Sequence, residues 1–133
     1  MIYVLDACAI IAYLRKEVGA DVVEAALLDT TSQCTAHAIN LCEVFYLFHR
    51  SSGEANANQA IEDMRLLGVF ERVDFDDGFW KEAGRLKARG KVSLPDCFAI
   101  TLTNRVGGTM LTSDHSELDP IAAAGVCAIK FIR

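Results

Sequence analysis

Short runs of β-forming residues alternate along this chain with longer segments that have helical periodicity. The strand candidates are residues 2–5, 33–35, 69–73, 109–112 and 127–132. The helix candidates are residues 9–16, 21–28, 37–49, 54–67, 76–90, 95–105 and 117–124. Two parallel strands need a long crossover between them, which is usually a helix. The alternation therefore predicts a three-layer α/β/α fold with a mainly parallel central sheet.

The length and composition are typical of one globular domain. The chain has 133 residues, of which 52% are hydrophobic and 23% are charged. Domains of about 100–150 residues have one core, so residues 1–133 are expected to form a single domain. No apolar run approaches the ~20 residues of a membrane span. The N-terminus has no basic region before its first acid, which argues against a signal peptide.

Five cysteines are scattered through the sequence without a CxxC pair. An odd number of cysteines in apolar surroundings is typical of buried, reduced thiols in a cytoplasmic protein. With three histidines and no zinc-like spacing, we do not expect a structural zinc site.

The distribution of charge is more informative than the formal net charge of −5. An acidic total argues against a protein that coats nucleic acid, but metal-binding carboxylates also make a nuclease acidic. Five basic residues fall within one short segment: Lys81, Arg85, Lys87, Arg89 and Lys91. They are candidates for contact with an RNA backbone, although a solvated helix face would have the same pattern.

Three aspartates lie where a parallel sheet would bring them together. Asp6 directly follows the first strand, Asp114 follows the fourth, and Asp96 is in the first turn of a helix that begins near Pro95. Open α/β sheets hold their sites beyond the carboxyl ends of the strands, so we expect these acids to share a site. Each of them singly also has a structural explanation, as a helix cap, a helix-dipole charge or a turn residue.

Glu43 lies in a helical segment that is apolar on nearly every side. Its neighbours include Leu41, Cys42, Val44, Phe45, Tyr46, Leu47 and Phe48. Such a helix is expected to be largely buried, and a buried glutamate is rare unless it is paired or binds a metal. No lysine or arginine lies within one turn of Glu43. A bound cation is therefore the favoured explanation, and a distant salt-bridge partner is the alternative.

A cluster of these acids needs a counter-charge. Two unit charges about 4 Å apart repel each other by roughly 4 kcal/mol at an effective dielectric constant near 20. Carboxylate oxygens suit Mg²⁺ or Mn²⁺, which also accept phosphate oxygens as ligands. Such a metal can activate water and stabilise the charge that develops in phosphodiester hydrolysis. The pattern indicates a metal-dependent nuclease with Asp6, Glu43, Asp96 and Asp114 at its active site.

Four segments, taken in order, resemble motifs of PIN-domain proteins. They are residues 3–11 around Asp6, Glu43 with Asn40 before it, residues 94–101 around Asp96, and residues 111–114. The resemblance covers nearly the whole chain, whose length is similar to that of VapC toxins. One departure is Cys8, because the family often has a hydroxyl residue next to the first acid.

The resemblance implies a parallel sheet flanked by helices and Mg²⁺- or Mn²⁺-dependent cleavage of single-stranded RNA. It also implies a homodimer and an antitoxin protein that blocks the site. By position, it assigns metal binding to the four acids and supporting roles to Asn40 and Thr112. Glu117 and Asp119 are candidates for extra acids of the site, but the favoured expectation is that they are ordinary surface residues at the start of a helix.

Two other functions are compatible with parts of the pattern. A phosphoacceptor signalling domain is also a small parallel α/β protein that uses Mg²⁺ and aspartates. It would need an adjacent acidic pair after the first strand, where Asp6 stands alone, and it would leave Glu43 unexplained. A catalytically inactive PIN-like scaffold would keep the fold for protein binding without the reaction.

Overall fold

The computed structural model describes residues 1–133 as five strands and seven helices. The strands are β1 (Ile2–Leu5), β2 (Gln33–His37), β3 (Phe70–Arg72), β4 (Thr109–Thr112) and β5 (Ile129–Phe131). The helices are α1 (Ala7–Leu14), α2 (Ala20–Leu28), α3 (Ala38–Ser52), α4 (Glu54–Leu66), α5 (Asp77–Arg89), α6 (Leu94–Val106) and α7 (His115–Ala123). Every predicted element is present, with ends that differ by a few residues. None of the helices is long and apolar enough to cross a membrane.

All five strands form one parallel sheet in the order β3-β2-β1-β4-β5. In the central strand β1, Val4 pairs with Thr35 of β2 on one side and with Met110 of β4 on the other. The chain moves outward from β1 to β3 and then returns to place β4 against β1. Parallel α/β sheets hold their ligand sites beyond such a reversal. The fold prediction is confirmed, and the sheet is entirely parallel.

Helices cover both faces of the sheet, with a separate hydrophobic core on each face. Leu5 packs among residues of α1–α4, whereas its neighbour Val4 packs among residues of α5–α7. Met110 and Leu111 of β4 divide between the two cores in the same way. All four side chains are fully buried, and each contributes about 1.5–3 kcal/mol of transfer free energy. The two central strands are therefore fixed from both sides.

The carboxyl ends of β1 and β4 lead directly into helices that begin with an aspartate cap. Asp6 Oδ1 accepts the backbone N–H of Ala9 at 2.8 Å in the first turn of α1. Asp114 Oδ1 accepts the backbone N–H of Glu117 at 3.1 Å in the first turn of α7. A side-chain acceptor at this position satisfies one of the free N–H groups of a helix start. Capping thus holds both acids at the same edge of the sheet.

β4 approaches β1 closely at Gly108, the residue before the strand. A Cβ atom at Gly108 would lie 2.7 Å from the carbonyl oxygen of Ile2. That oxygen belongs to the backbone at the start of β1 and cannot rotate away. The absence of a side chain at Gly108 therefore allows the two central strands to pair.

We expect Gly108→Ala to destabilise the protein by about 1–3 kcal/mol, the usual range for overpacking, because the methyl group would push β4 away from β1. Gly84→Ala in α5 is the matched control, since no atom lies within 4 Å of a Cβ there. Alanine is the better helix former, so this control should gain up to about 1 kcal/mol. Urea denaturation measures both changes, and equal stability of the two variants would contradict this account of the β1–β4 contact.

Candidate active site

An acidic cleft of about 290 Å³ lies beyond the carboxyl ends of β1 and β4. Its lining comes from the starts of α1, α6 and α7 and from the middle of α3: Ala7, Cys8, Glu43, Ser93, Asp96, Asp114, Ser116 and Glu117. Helix N-termini carry a partial positive charge, which favours nearby anions. The fold thus provides a position where several carboxylates are tolerated.

Three carboxyl groups meet in the acidic cleft, those of Asp96, Asp114 and Glu117. One oxygen from each lies within 4.8 Å of the other two. Asp96 is buried in the first turn of α6, and its backbone N–H donates to Ser93 Oγ at 3.4 Å. Asp114 and Glu117 occupy the cap and the first turn of α7. Residues from two separate helix starts therefore form the cluster.

The expectation that Glu117 is an ordinary surface residue is wrong. Its side chain is half-buried and lines the acidic cleft. Glu117 lies three residues after the Asp114 cap, which is the position of the acid in a capping box, but the Asp114 N–H donates to Thr112 Oγ1 instead. The D-x-x-E pattern was therefore the sequence signal for this residue. Asp119 does lie on the surface, where Oδ1 is 2.8 Å from His115 Nδ1.

Asp6 lies behind the acidic cleft rather than in its lining. The side chain is fully buried, and its Oδ2 has no hydrogen-bond partner. Burial raises the pKa of Asp6 to about 7, and the charges of Glu43 and Asp114 add to this rise. The Thr112 side chain and the Ala9 N–H lower the pKa of Asp6. Oδ2 itself nevertheless accepts no hydrogen bond. A buried carboxylate oxygen without a donor is costly, and a cation would remove that cost.

Burial also raises the pKa of Asp96, to about 8. A hydrogen bond with Glu117 raises this pKa further, as does the charge of Asp6. Two carboxyl groups this close share one proton readily, because both cannot ionise freely without a counter-charge. Asp96 is therefore harder to ionise than an ordinary aspartate as long as no counter-charge is present.

The expectation that Glu43 is buried within an apolar helix is wrong. α3 is covered on one side, where α4 and α6 pack, while Cys42 and Tyr46 are exposed. Glu43 is half-buried and lines the acidic cleft. Burial raises the pKa of Glu43, and the charges of Glu117 and Asp114 raise it further. Glu43 thus joins the cluster from a more solvated position than predicted.

Asn40 and Thr112 each hold the backbone beside one of the acids. Asn40 is buried, and its Nδ2 donates to the carbonyl oxygen of Pro95 at 3.1 Å, one residue before Asp96. Thr112 is also buried, and its Oγ1 accepts the N–H of Asp114 at 3.1 Å. Both contacts agree with the predicted supporting roles.

Cys8 lines the acidic cleft at the position where the resemblance led us to expect a hydroxyl. All five cysteines are free, but Cys8 and Cys42 are exposed, so the prediction that the thiols are buried is wrong for these two. Partial burial raises the pKa of Cys8 to about 12, and nearby acids add to the rise. The thiol is therefore neutral at physiological pH.

None of the five predicted RNA-binding residues lines the acidic cleft. Lys81 lies over an indole ring, Arg85 pairs with a glutamate of its own helix, and Lys87 Nζ donates to a backbone carbonyl at 3.0 Å. Arg89 ends α5, and Lys91 follows in the turn to α6. Four of the five residues thus contact a group within the protein, Arg89 through its Nε, whereas no such contact is made by the Lys91 side chain.

The donor set of the acidic cleft fits a divalent cation. Oxygen ligands of one Mg²⁺ lie about 2.1 Å from the metal and hence at most about 4.2 Å apart. The oxygens of Asp96, Asp114 and Glu117, within 4.8 Å of one another, need only a small inward movement. No lysine or arginine forms a salt bridge with these acids, with Asp6 or with Glu43. The counter-charge that the cluster requires is therefore not supplied by the protein itself.

Residues 3–122 match the family model described as the PIN domain. A DNA-bound VapBC structure from Salmonella typhimurium has a TM-score of 0.74 at 17% identity, covering 100% of this chain and 99% of that one. VapBC-1 from nontypeable Haemophilus influenzae has a TM-score of 0.71 at 18% identity, with coverages of 99% and 98%. The sarcin–ricin loop cleaving toxin VapC20 of Mycobacterium tuberculosis has a TM-score of 0.71 at 15% identity, with coverages of 94% and 95%. No curated protein matches the chain in sequence.

We expect the metal-free protein to lose stability as the pH rises from about 4 to about 8. The pKa values of Asp6 and Asp96 rise from 3.8 to about 7 and about 8 in the folded state. Their contribution is thus fully present below about pH 4 and is lost as the pH rises through the folded-state values, by at most about 1.4 kcal/mol per pH unit for each group. Urea denaturation in chelator at several pH values measures this slope.

Asp96→Asn should flatten that slope, because the amide cannot ionise. The exposed Glu24→Gln is the matched control and should leave the slope unchanged. If the free energy of unfolding of the wild type does not change between pH 5 and 8, the pKa values of Asp6 and Asp96 are not raised in the folded protein.

Proposed function

The chain belongs to the PIN-domain family, and from this premise we propose that it is an Mg²⁺- or Mn²⁺-dependent endoribonuclease that cleaves single-stranded RNA. The proposal rests on the meeting of Asp96, Asp114 and Glu117 in one cleft without a basic partner. Such a cluster repels the phosphates of a substrate unless a cation is present. A metal-dependent reaction on a phosphodiester accounts for the cluster, whereas helix capping alone requires only one of its acids.

We assign metal binding to the three clustered acids and to Asp6 behind them. A divalent cation bound there would stabilise the charge that develops on the scissile phosphate and lower the pKa of a water molecule. Helix capping already fixes Asp6 and Asp114, so these carboxyl groups need little reorganisation to bind. A bound cation would favour the ionised form of Asp96, whose pKa is raised in the metal-free protein.

Hydrolysis joins the oxygen of a water molecule to phosphorus and breaks the bond from phosphorus to one ribose oxygen. We assign to Glu43, predicted as a further metal ligand, the acceptance of the proton that this water loses. Its side chain is half-buried in the lining of the acidic cleft, and burial raises its pKa, which makes the carboxylate a stronger base. The leaving ribose oxygen takes its proton from solvent, to which the acidic cleft opens.

We further propose that the protein is the cytoplasmic toxin of a toxin–antitoxin pair and forms a homodimer. The VapBC proteins that share its fold are described as toxin–antitoxin systems. An antitoxin could inhibit this chain by placing a basic side chain in the acidic cleft, because the cleft contains charge without a partner. Inhibitor and metal would then neutralise the same carboxylates.

Different observations distinguish the two alternative functions from the proposed nuclease. A phosphoacceptor signalling domain has strand order 2-1-3-4-5, which differs from the order 3-2-1-4-5 found here. The inactive scaffold has the same fold as the nuclease, so only a test for cleavage distinguishes the two.

Purified protein is expected to cleave single-stranded RNA in Mg²⁺ or Mn²⁺ and to stop in excess chelator. Asp96→Asn should slow cleavage at least about 100-fold, and Glu117→Gln about 10- to 100-fold. Asp119→Asn is the matched control, because Asp119 lies on the same helix but outside the acidic cleft. Undiminished cleavage in chelator would overturn the metal mechanism. A folded wild type that never cleaves RNA would favour the inactive scaffold.

Expression of the wild-type chain alone in a bacterial host should arrest growth, because cleavage of cellular RNA stops protein synthesis. Asp96→Asn should be harmless at the same expression level, and co-expression of the cognate antitoxin should restore growth with the wild type. Equal toxicity of the wild type and Asp96→Asn would show that the arrest does not come from the acidic cleft.

A further inference from the structure

A second cleft, of about 380 Å³, adjoins the acidic one. Its lining comes from the turn between α5 and α6 and from the first turns of α7: Arg89, Gly90, Lys91, Val92, Ser116, Glu117, Pro120 and Ile121. Ser116 and Glu117 line both clefts. A ligand chain that leaves the acidic cleft across the start of α7 therefore enters this second one, which we call the basic cleft.

The two cations of the basic cleft have no acidic partner. Arg89 and Lys91 are exposed and form no salt bridge, even though Glu117 lines the same cleft. Arg89 Nε donates to the carbonyl oxygen of Arg85 at 3.3 Å, which leaves the two terminal nitrogens of its guanidinium group free. Lys87, by contrast, uses its ammonium group within the protein. Arg89 and Lys91 are thus available to an anion.

An RNA strand that binds in the acidic cleft needs basic side chains beside that cleft. The protein has a net charge of −5, and every nucleotide adds a negative phosphate. A metal ion in the acidic cleft would compensate the charge of one phosphate. The next phosphate along the strand would lie beside that cleft and would need a counter-charge of its own. Contacts of lysine and arginine with phosphates supply most of the affinity of proteins for nucleic acid and make it dependent on salt.

We propose that the basic cleft binds the backbone of the RNA strand next to the scissile phosphate, with Arg89 and Lys91 contacting the neighbouring phosphate. This inference rests on the proposed ribonuclease function and adds the direction in which the strand leaves the site. Val92, Pro120 and Ile121 provide an apolar wall for a ribose. No aromatic side chain and no amide lines the cleft, so this contact positions the strand without selecting a base.

The double variant Arg89→Gln/Lys91→Gln tests the proposal. We expect KM for a single-stranded RNA to rise about three- to fivefold for each charge removed, with kcat nearly unchanged. The dependence of log(kcat/KM) on log salt should become shallower by about 0.7 for each lost phosphate contact. The charge-matched control is Lys16→Gln/Arg50→Gln, two exposed residues outside both clefts, which should leave KM and the salt dependence as in the wild type. Both variants replace exposed residues, and thermal melts verify that both are folded.

A parallel measurement separates failure of this inference from failure of the proposed function. Fluorescence anisotropy gives the affinity of each protein for the same labelled RNA in Mg²⁺, in an Asp96→Asn background that does not cleave. If the wild type cleaves RNA but the two double variants behave alike, the basic cleft is overturned and the nuclease stands. If RNA binds through Arg89 and Lys91 but is never cleaved, the cleft stands and the nuclease is overturned. Absence of RNA binding overturns both.

Discussion

The parallel pairing of β1 with β4 is the contact on which the position of the site depends. It joins the first strand of the chain to one that follows six of the seven helices. The backbone N–H of Asp6 continues this pairing by donating to the carbonyl oxygen of Leu111 at 3.3 Å. Since both strands are fixed by cores on their two faces, the residues that follow them have little freedom. The acidic cleft is therefore a product of strand order as much as of acidic residues.

Hydrogen bonds to uncharged backbone groups hold the carboxyl groups in place against their mutual repulsion. The Ala9 N–H fixes Asp6, the Glu117 N–H fixes Asp114, and Asn40 anchors the backbone before Asp96. The donors are backbone or amide N–H groups, so these contacts do not require a second charged side chain. The site can thus be destabilising while the fold around it remains intact, which is a common property of functional sites. The free energy that opposes this cost comes from the two apolar cores.

The sequence predicted the fold and the meeting of Asp96 and Asp114, with Asp6 behind them, because alternating strands and helices leave few topologies and strand ends share one edge. It did not predict how far the side chain of each acid is exposed to solvent. The apolar composition of α3 does not reveal which of its sides another helix will cover, so the burial of Glu43 was overestimated. The burial of Asp6 depends on packing between elements that are far apart in the chain. Glu117 was identifiable from its spacing to the Asp114 cap, because the same D-x-x-E pattern that marks a helix start also places an acid in the cleft.

The aspartate caps of α1 and α7 combine in one side chain a contact needed for folding and, under the proposed function, a ligand for the metal. In each case one carboxylate oxygen serves the helix, while the other makes no hydrogen bond within the protein. Asparagine, serine and threonine cap helices nearly as well as aspartate. A protein with such a residue at either cap would keep the start of the helix and lose the second carboxylate oxygen. Under the proposed function, a single substitution of this kind would remove a metal ligand and leave the fold in place.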